Sequence, residues 1–170
     1  MVVRIVIKKT ENINYKFNLP FNFLFKSSIL NNGFSTPLNF ALEHANYSNS
    51  DWLLILDENS ILDKNYFKNY EDNFLKCTLN SYNVAMVSRI SNNNLQISPS
   101  KVYYGGIHRP IKLFFTGEYE DEIFSIISGT SIKCSFINKI NGFNEILWLD
   151  SLDRWLYTLI YANNKAVFTV

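Results

Sequence analysis

The sequence lacks the composition that marks several classes of protein. Its 170 residues carry 16 Lys and Arg against 15 Asp and Glu, which gives a net charge of +1. Because nucleic-acid-binding domains need an excess of basic residues to neutralise phosphates, this balance excludes a nucleic acid as the expected partner. Glycine and proline are scarce, at 6 and 4 residues, which argues against a linker or a disordered chain. The length predicts a single globular domain over residues 1–170.

Long hydrophobic runs and metal-type cysteine patterns are also missing. The apolar stretch near the amino end, VVRIVI at residues 2–7, is too short for a signal peptide or a membrane span. We therefore expect a cytoplasmic location, and association with the inner face of the cell membrane stays open. Cys77 and Cys134 are isolated and have no metal-ligand spacing, so we expect reduced thiols in the core rather than a disulfide or a nucleophile.

Apolar runs and turn residues alternate along the chain as they do in α/β domains. Helices are predicted at about residues 36–46, within 64–82, at 135–140 and at 151–163. In the first of these, Pro37 suits the first helical position, and the residues that recur at helical spacing are Leu38, Ala41, Leu42 and Ala45. In the second, the apolar residues expected on roughly one helical face are Tyr66, Phe67, Tyr70, Phe74, Leu75 and Leu79. Strands are predicted at residues 2–9, 52–56, 83–91, 123–129 (up to Ser128 and Gly129) and 166–170. Residues 95–122 are expected to be rich in loops with short hairpins. Because strands and helices alternate, the central sheet is expected to be mainly parallel.

The first candidate site follows the strand in DWLLILDENSILD, residues 51–63. Apolar residues 52–56 lead directly into Asp57, Glu58 and Asn59. The carboxyl ends of strands are where open α/β sheets bind ligands, and oxygen-bearing side chains suit Mg²⁺ or Mn²⁺ that carries substrate phosphates. The alternative is an acidic loop that ends a strand in solvent, and the triplet by itself does not decide between the two.

The second candidate site lies in NGFNEILWLDSLDRWL, residues 141–156. Asp150 and Asp153 are three residues apart at the predicted start of a helix, so both carboxylates could face one pocket. Acidic residues in a first turn also suit the helix dipole, and Asp150 or Ser151 could cap the helix without any catalytic role. Both explanations remain open at this point.

Two blocks of the sequence together resemble family 2 glycosyltransferases. NNGFSTPLNFALEHANYSNSDWLLILDENSIL contains an Asn-Gly turn, a helix with Asn39 and a strand that ends in an Asp-x-Asp-like motif. SGTSIKCSFINKINGFNEILWLDSLDRW contains Ser-Gly, a Gly-Phe-Asn-Glu turn and an acidic element. The resemblance covers residues 31–170 and is nearest to rhamnosyltransferase-like enzymes that assemble bacterial surface polysaccharides, whereas residues 1–30 match poorly.

This resemblance implies an α/β fold of the GT-A type, which is the Rossmann-like fold of nucleotide-sugar transferases. It implies transfer of a sugar, with inversion, from a nucleotide-diphospho-sugar donor to a hydroxyl of a glycan or lipid-linked glycan, in capsule, lipopolysaccharide or other surface-polysaccharide synthesis. The residues that it implies for donor binding are Asn32, Gly33, Asn39, Asp57, Glu58, Ser128 and Gly129. Asp57 and Asn59 would hold a divalent cation, Mn²⁺ or Mg²⁺, and the general base would be Asp150 or Asp153.

The resemblance also implies that the backbone of Ser128 and Gly129 and the turn at Gly142 and Phe143 shape the sugar and acceptor pocket. Trp148 and Trp155 would pack either against sugar faces or in the core.

Three features depart from the family pattern. Asn59 replaces the usual final Asp of the motif, Ser151 interrupts the usual acidic pair, and the first βα unit is expected to be missing because only residues 2–9 have strand character before the Asn-Gly turn. These departures leave a second function open, a non-catalytic domain of the same fold that binds a glycan or a partner. A missing βα unit would expose a sheet edge, so a homo-oligomer is also left open.

Overall fold

The computed structural model describes residues 4–8, 23–27, 33–57, 59–93, 95–103, 107–111, 115–119, 121–147 and 151–170. The helices are α1 (Ser35–Tyr47), α2 (Tyr66–Leu79), α3 (Cys134–Lys139) and α4 (Leu152–Ala162). The strands are β1 (Arg4–Lys8), β2 (Phe23–Ser27), β3 (Trp52–Ile55), β4 (Asn83–Val87), β5 (Ile90–Asn92), β6 (Leu95–Ser98), β7 (Ser100–Tyr103), β8 (Ile107–Pro110), β9 (Gly117–Glu118), β10 (Ile123–Phe124), β11 (Thr130–Lys133) and β12 (Ala166–Thr169). All four predicted helices are confirmed.

The main sheet has five strands in the order β3-β11-β4-β12-β9. Only β12 and β4 pair in parallel, while the other three pairings are antiparallel, so the sheet is mixed and the prediction of a mainly parallel sheet is wrong. The reason is that β11 enters from the loop at residues 125–129 and not from a crossover helix. It therefore runs opposite to β3 and β4, which point in the same direction on either side of it.

The position of Ser128 and Gly129 also differs from the prediction. They precede β11, which begins at Thr130, whereas the sequence suggested a strand that ended at them. Gly129 adopts a φ of +74°, a left-handed conformation that interrupts an extended strand. Because Thr130 pairs with both Ile55 and Val87, the two residues lie where β3 and β4 end.

Helices cover both faces of this sheet. On one face, α1 contributes Leu38, Leu42 and Ala45 to the larger core at the predicted helical spacing, and α4 contributes four buried residues to the same cluster. On the other face, Cys77 of α2 packs with Met86 and Phe168 of the sheet. Because successive residues of a strand point to opposite faces of the sheet, β4 and β12 supply both clusters. This arrangement is the layered α/β fold that the sequence predicted.

The apolar face of α2 is narrower than the sequence suggested. Tyr70 and Phe74 pack beside Cys77, but Leu75 and Leu79, which were expected on the same face, are 73% and 86% exposed. Tyr70 donates a hydrogen bond to Ser131 of β11. Aromatic packing and this hydrogen bond therefore fix the rotation of the helix about its own axis.

Two strands precede α1. β1 and β2 pair in parallel, from Arg4 opposite Phe23 to Lys8 opposite Ser27, and parallel neighbours require a crossover connection between them. The expectation that only residues 2–9 have strand character in this part of the chain is therefore wrong. The intervening residues 9–22 lie outside the described part of the chain.

The region between β4 and β11 has the predicted hairpins. β5 pairs with β6, and β7 pairs with both β8 and β10, all antiparallel. Cys77 and Cys134 are free and buried, as predicted. Among the helices that the structure describes, none combines the length and the apolar character needed to cross a membrane.

Candidate functional site

Gly129 joins the ends of β3 and β4. Its N–H donates to the carbonyl of Ile55 at 2.8 Å, and its carbonyl accepts from the N–H of Ser88 at 3.0 Å. A Cβ at this position would lie 3.2 Å from the Cβ of Ser88, and the positive φ is strained for other residues. Glycine is therefore required both by the backbone conformation and by the close approach of β4.

Ser128 contacts the segment that carries Asp57. The N–H of Asp57 donates to the Ser128 hydroxyl at 3.1 Å, and the hydroxyls of Ser60 and Ser128 are 3.1 Å apart. Ser60 in turn donates to the carboxylate of Asp57. Asp57 is exposed while Ser128 is buried. The structure thus brings together three of the predicted donor-binding residues, Asp57, Ser128 and Gly129, and presents the carboxylate to solvent.

Asp153 approaches the same loop from the other side. It lies in the first turn of α4, and the backbone N–H of Ile127 lies beside its carboxylate. Burial raises the pKa of this carboxyl above its ordinary value of 3.8, and the neighbouring N–H of Ile127 opposes that rise. Ser151 makes no capping hydrogen bond with its side chain. Asp153 is therefore held against the loop, next to the residue that contacts Asp57.

Asn39 contacts the Gly-Phe-Asn-Glu turn through its side-chain amide. Its Oδ1 accepts from the N–H of Phe143 at 2.7 Å, and its Nδ2 donates to the carbonyl of Phe143 and to Glu145 Oε1, both at 2.9 Å. Gly142, with a φ of +84°, lies so close that a Cβ there would be 2.8 Å from Asn39 Oδ1. Asn39 therefore holds the Gly-Phe-Asn-Glu turn against α1, and its predicted contact with the donor stays a prediction.

The Gly-Phe-Asn-Glu turn lines an open pocket of about 510 Å³. Gly142, Phe143 and Glu145 line this pocket together with Trp155 of α4. Trp155 is only partly buried and also packs against the main core. It therefore packs in the core, and its predicted contact with a sugar face stays a prediction.

The predicted metal ligands form an open and sparse set. Asp57 and Asn59 are both exposed, and the described part of the chain contains no group of three or more His, Cys, Asp or Glu side chains that could hold a metal ion. Mg²⁺ is commonly bound by one or two carboxylates together with substrate phosphates. The residues fit a cation of that kind, shared with a diphosphate, and do not fit a cage made by the protein alone.

Several predicted residues lie outside the described part of the chain, namely Asn32, Glu58, Trp148 and Asp150. Gly33 is described and has a φ of +75° just before α1. Sequence reasoning missed Ser60, Ser88 and the backbone N–H of Ile127. Ser60 could have been suspected from its place three residues after Asp57. The backbone N–H of Ile127 could not, because nearly every residue carries such a group and no residue type marks it.

No family model matches the sequence, and no curated protein matches it either. Two crystal structures of TarS residues 1–349 from S. aureus do match in fold. The one in complex with UDP has a TM-score of 0.56 at 15% identity, and the other has a TM-score of 0.59 at 16% identity. Both matches cover 88% of this chain and 41% of the TarS chain, so this chain spans less than half the length of those structures. TarS is a family 2 glycosyltransferase, and the chain shares the fold of that family, as the resemblance indicated.

Proposed function

We propose that this chain is the nucleotide-sugar-binding part of a glycosyltransferase for a cell-surface polysaccharide. In this proposal a sugar moves from a nucleotide-diphospho-sugar to a hydroxyl of a glycan or lipid-linked glycan, with inversion. The observation that carries the proposal is the loop at residues 125–129, which contacts the segment of Asp57 through Ser128 and the carboxylate of Asp153 through Ile127. The shared fold with TarS, crystallised with UDP, supports a uridine nucleotide as the first donor to test.

The donor would bind at the carboxyl end of β3. Asp57 is exposed there, and with Asn59 it would hold a divalent cation whose remaining ligands are diphosphate oxygens and water. When bound, such a cation would supply positive charge that stabilises the nucleoside diphosphate as a leaving group. Because a neutral amide binds cations less strongly than a carboxylate does, we expect metal binding to depend on the diphosphate.

Asp153 is the described candidate for the general base. A carboxylate with a raised pKa is a better proton acceptor near neutral pH than an ordinary aspartate. In the proposed step the acceptor oxygen attacks the anomeric carbon, its proton passes to the carboxylate, and the bond from that carbon to the nucleoside diphosphate breaks. Asp150, which lies outside the described residues, remains the other candidate.

Thermal unfolding with nucleoside diphosphates tests the donor site. A ligand that binds only the folded chain raises the unfolding temperature, so we expect a rise with UDP and Mn²⁺ that is lost in Asp57→Ala. Thymidine and guanosine diphosphates test which nucleobase the site accepts. Asp72→Ala, which removes an exposed carboxylate from α2, is the matched control and should keep the full rise.

Two results would separate the catalytic from the non-catalytic function. Retention of the UDP-dependent rise by Asp153→Asn, together with loss of sugar transfer, supports Asp153 as the base. The other result is a wild-type chain that unfolds cooperatively at the same temperature with and without every nucleoside diphosphate. That result would refute the proposal and favour a domain that binds a glycan or a partner without turnover.

A further inference from the structure

Four buried hydroxyl groups lie against the residues of the 125–129 loop. Ser98, Ser125, Thr130 and Tyr157 are each 2% exposed or less. The hydroxyl oxygens of Ser98 and Ser125 are 2.8 Å apart, and those of Thr130 and Tyr157 are 3.0 Å apart. Ser125 donates to the carbonyl of Ile126 at 3.2 Å, and Thr130 donates to the same carbonyl at 3.1 Å. The four side chains therefore form one continuous network that links α4, β6, β11 and the loop.

This network holds the backbone of Ile126 at both of its polar groups. The Ile126 N–H donates to the Ser98 hydroxyl at 3.0 Å, and its carbonyl accepts from the Thr130 hydroxyl at 3.1 Å. A hydroxyl has a single hydrogen to donate. Since Thr130 donates its hydrogen to Ile126, the hydroxyl of Tyr157 is the donor in its contact with Thr130.

Tyr157 and Asp153 are one helical turn apart on α4. Residues four apart lie on the same face of a helix, and here both reach the loop at neighbouring positions. The carboxylate of Asp153 lies beside the N–H of Ile127, while Tyr157 supports Ile126 through Thr130. Burial raises the pKa of Tyr157 well above its usual value, so its hydroxyl stays neutral and remains able to donate.

We propose that Tyr157 is a positioning residue, whose hydroxyl acts through Thr130 to hold the backbone of Ile126, and with it the adjacent Ile127 N–H beside the carboxylate of Asp153. The catalytic consequence rests on the proposed function, whereas the hydrogen bond itself does not. Ser128 has separate contacts with Asp57 and Ser60. Loss of the Tyr157 hydroxyl should therefore affect Asp153 and leave the donor side in place.

The helix offers a matched control in Tyr161. Its hydroxyl accepts from the N–H of Ile123 at 2.8 Å and donates to the carbonyl of the same residue at 3.0 Å. Tyr161→Phe thus removes a tyrosine hydroxyl from the same helix, with the same change in chemistry, at contacts outside the loop. Tyr157→Phe and Tyr161→Phe together separate positioning of the loop from general loosening of α4.

The amide resonance of Ile127 is a readout that does not depend on activity. In Asp153→Asn the N–H donates to a neutral oxygen in place of a carboxylate, which is a weaker hydrogen bond, so its proton resonance should move upfield. We expect Tyr157→Phe to move it in the same direction and Tyr161→Phe to leave it unchanged. An unmoved resonance in Tyr157→Phe, or equal shifts in both phenylalanine variants, would overturn the proposal.

Substitutions at Thr130 provide a second route to the same answer, which matters if Tyr157→Phe does not fold. Thr130→Val removes the hydroxyl between Tyr157 and Ile126 at almost the same volume, and it should move the Ile127 resonance. Thr130→Ser keeps the hydroxyl and should leave the Ile127 resonance at its wild-type position. Equal spectra of the Val and Ser variants would refute the proposed link.

Measurements of kcat and KM distinguish an error in this inference from an error in the proposed function. With a uridine-diphospho-sugar that the wild type uses, Tyr157→Phe should lower kcat about tenfold and leave the KM for the donor within about twofold, because the effect acts through the base. Combined with Asp153→Asn it should cause no further loss; a further loss in the double variant would contradict the proposal. A wild-type chain with neither UDP binding nor transfer would refute the proposed function, while the Ile127 resonance would still decide the role of Tyr157.

Discussion

The amide group of Asn39 is hydrogen-bonded to both backbone polar groups of Phe143, 104 residues further along the chain. This contact joins α1 to the turn that precedes α4. Phe143 is itself buried in the main core. The pair therefore fixes one wall of the pocket at the Gly-Phe-Asn-Glu turn before any ligand is present.

We predict that Gly142→Ala destabilises the chain by about 1–3 kcal/mol, because the residue has a positive φ and its new Cβ would meet Asn39 Oδ1 at 2.8 Å. Urea unfolding measures this loss. In the background of Asn39→Ala, where the contacting oxygen is gone, the same substitution should cost less. Equal costs in the two backgrounds would show that the close contact contributes nothing.

The raised pKa of Asp153 predicts a specific dependence of stability on pH. A carboxyl group with a higher pKa in the folded than in the unfolded chain binds more protons when folded, so its contribution to stability decreases as pH rises from about its ordinary pKa of 3.8 through the raised value. We therefore expect the free energy of unfolding of Asp153→Asn, measured relative to that of the wild type, to be greater near neutral pH than at pH values below this window. Denaturant unfolding across that range, compared with Asp72→Asn, tests it. A difference between wild type and Asp153→Asn that does not change with pH would contradict the prediction.

Local patterns were sufficient to predict most of the helices. Pro37 and the spacing of Leu38, Leu42 and Ala45 predicted α1, and the structure buries these leucines and the alanine as expected. The same reasoning failed for Leu75 and Leu79. Their apolar character suggested burial, but the sheet contacts a narrower face of α2, and no local pattern specifies how wide that face is.

The direction of β11 and the position of Asp153 depend on distant contacts, and this is why the sequence did not predict them. Thr130 pairs with Ile55 and Val87, which belong to strands far away in the chain. Asp153 lies beside the backbone N–H of Ile127, a group that every residue except proline carries. The resemblance placed Asp57 and Ser128 in one site, but only the fold shows that one loop lies between Asp57 and Asp153.

Both cysteines should be protected from thiol reagents in the folded chain. Burial raises the pKa of Cys77 to about 12 and also raises that of Cys134, and the thiolate is the reactive form. We expect neither thiol to react at pH 8 at the rate of an exposed thiol, and both to react after unfolding in urea. Fast labelling of Cys77 in the native chain would show that α2 does not pack on the sheet as described.

Gly129→Ala tests whether the bridge between β3 and β4 is needed for the donor site as well as for folding. The substitution strains a φ of +74° and brings a Cβ to 3.2 Å from the Cβ of Ser88, so we expect a loss of about 1–2 kcal/mol in unfolding free energy. Gly142→Ala is the matched control, since it has the same kind of backbone strain at a turn that does not contact Asp57. Both variants are compared by the rise in unfolding temperature that UDP and Mn²⁺ cause. Gly129→Ala should lose most of this rise, because we expect Ser128 to move away from the N–H of Asp57. Gly142→Ala should keep it. Equal stabilisation of the two variants would mean that Gly129 serves the fold alone and that the donor, if it binds, does not depend on the contact between Ser128 and Asp57.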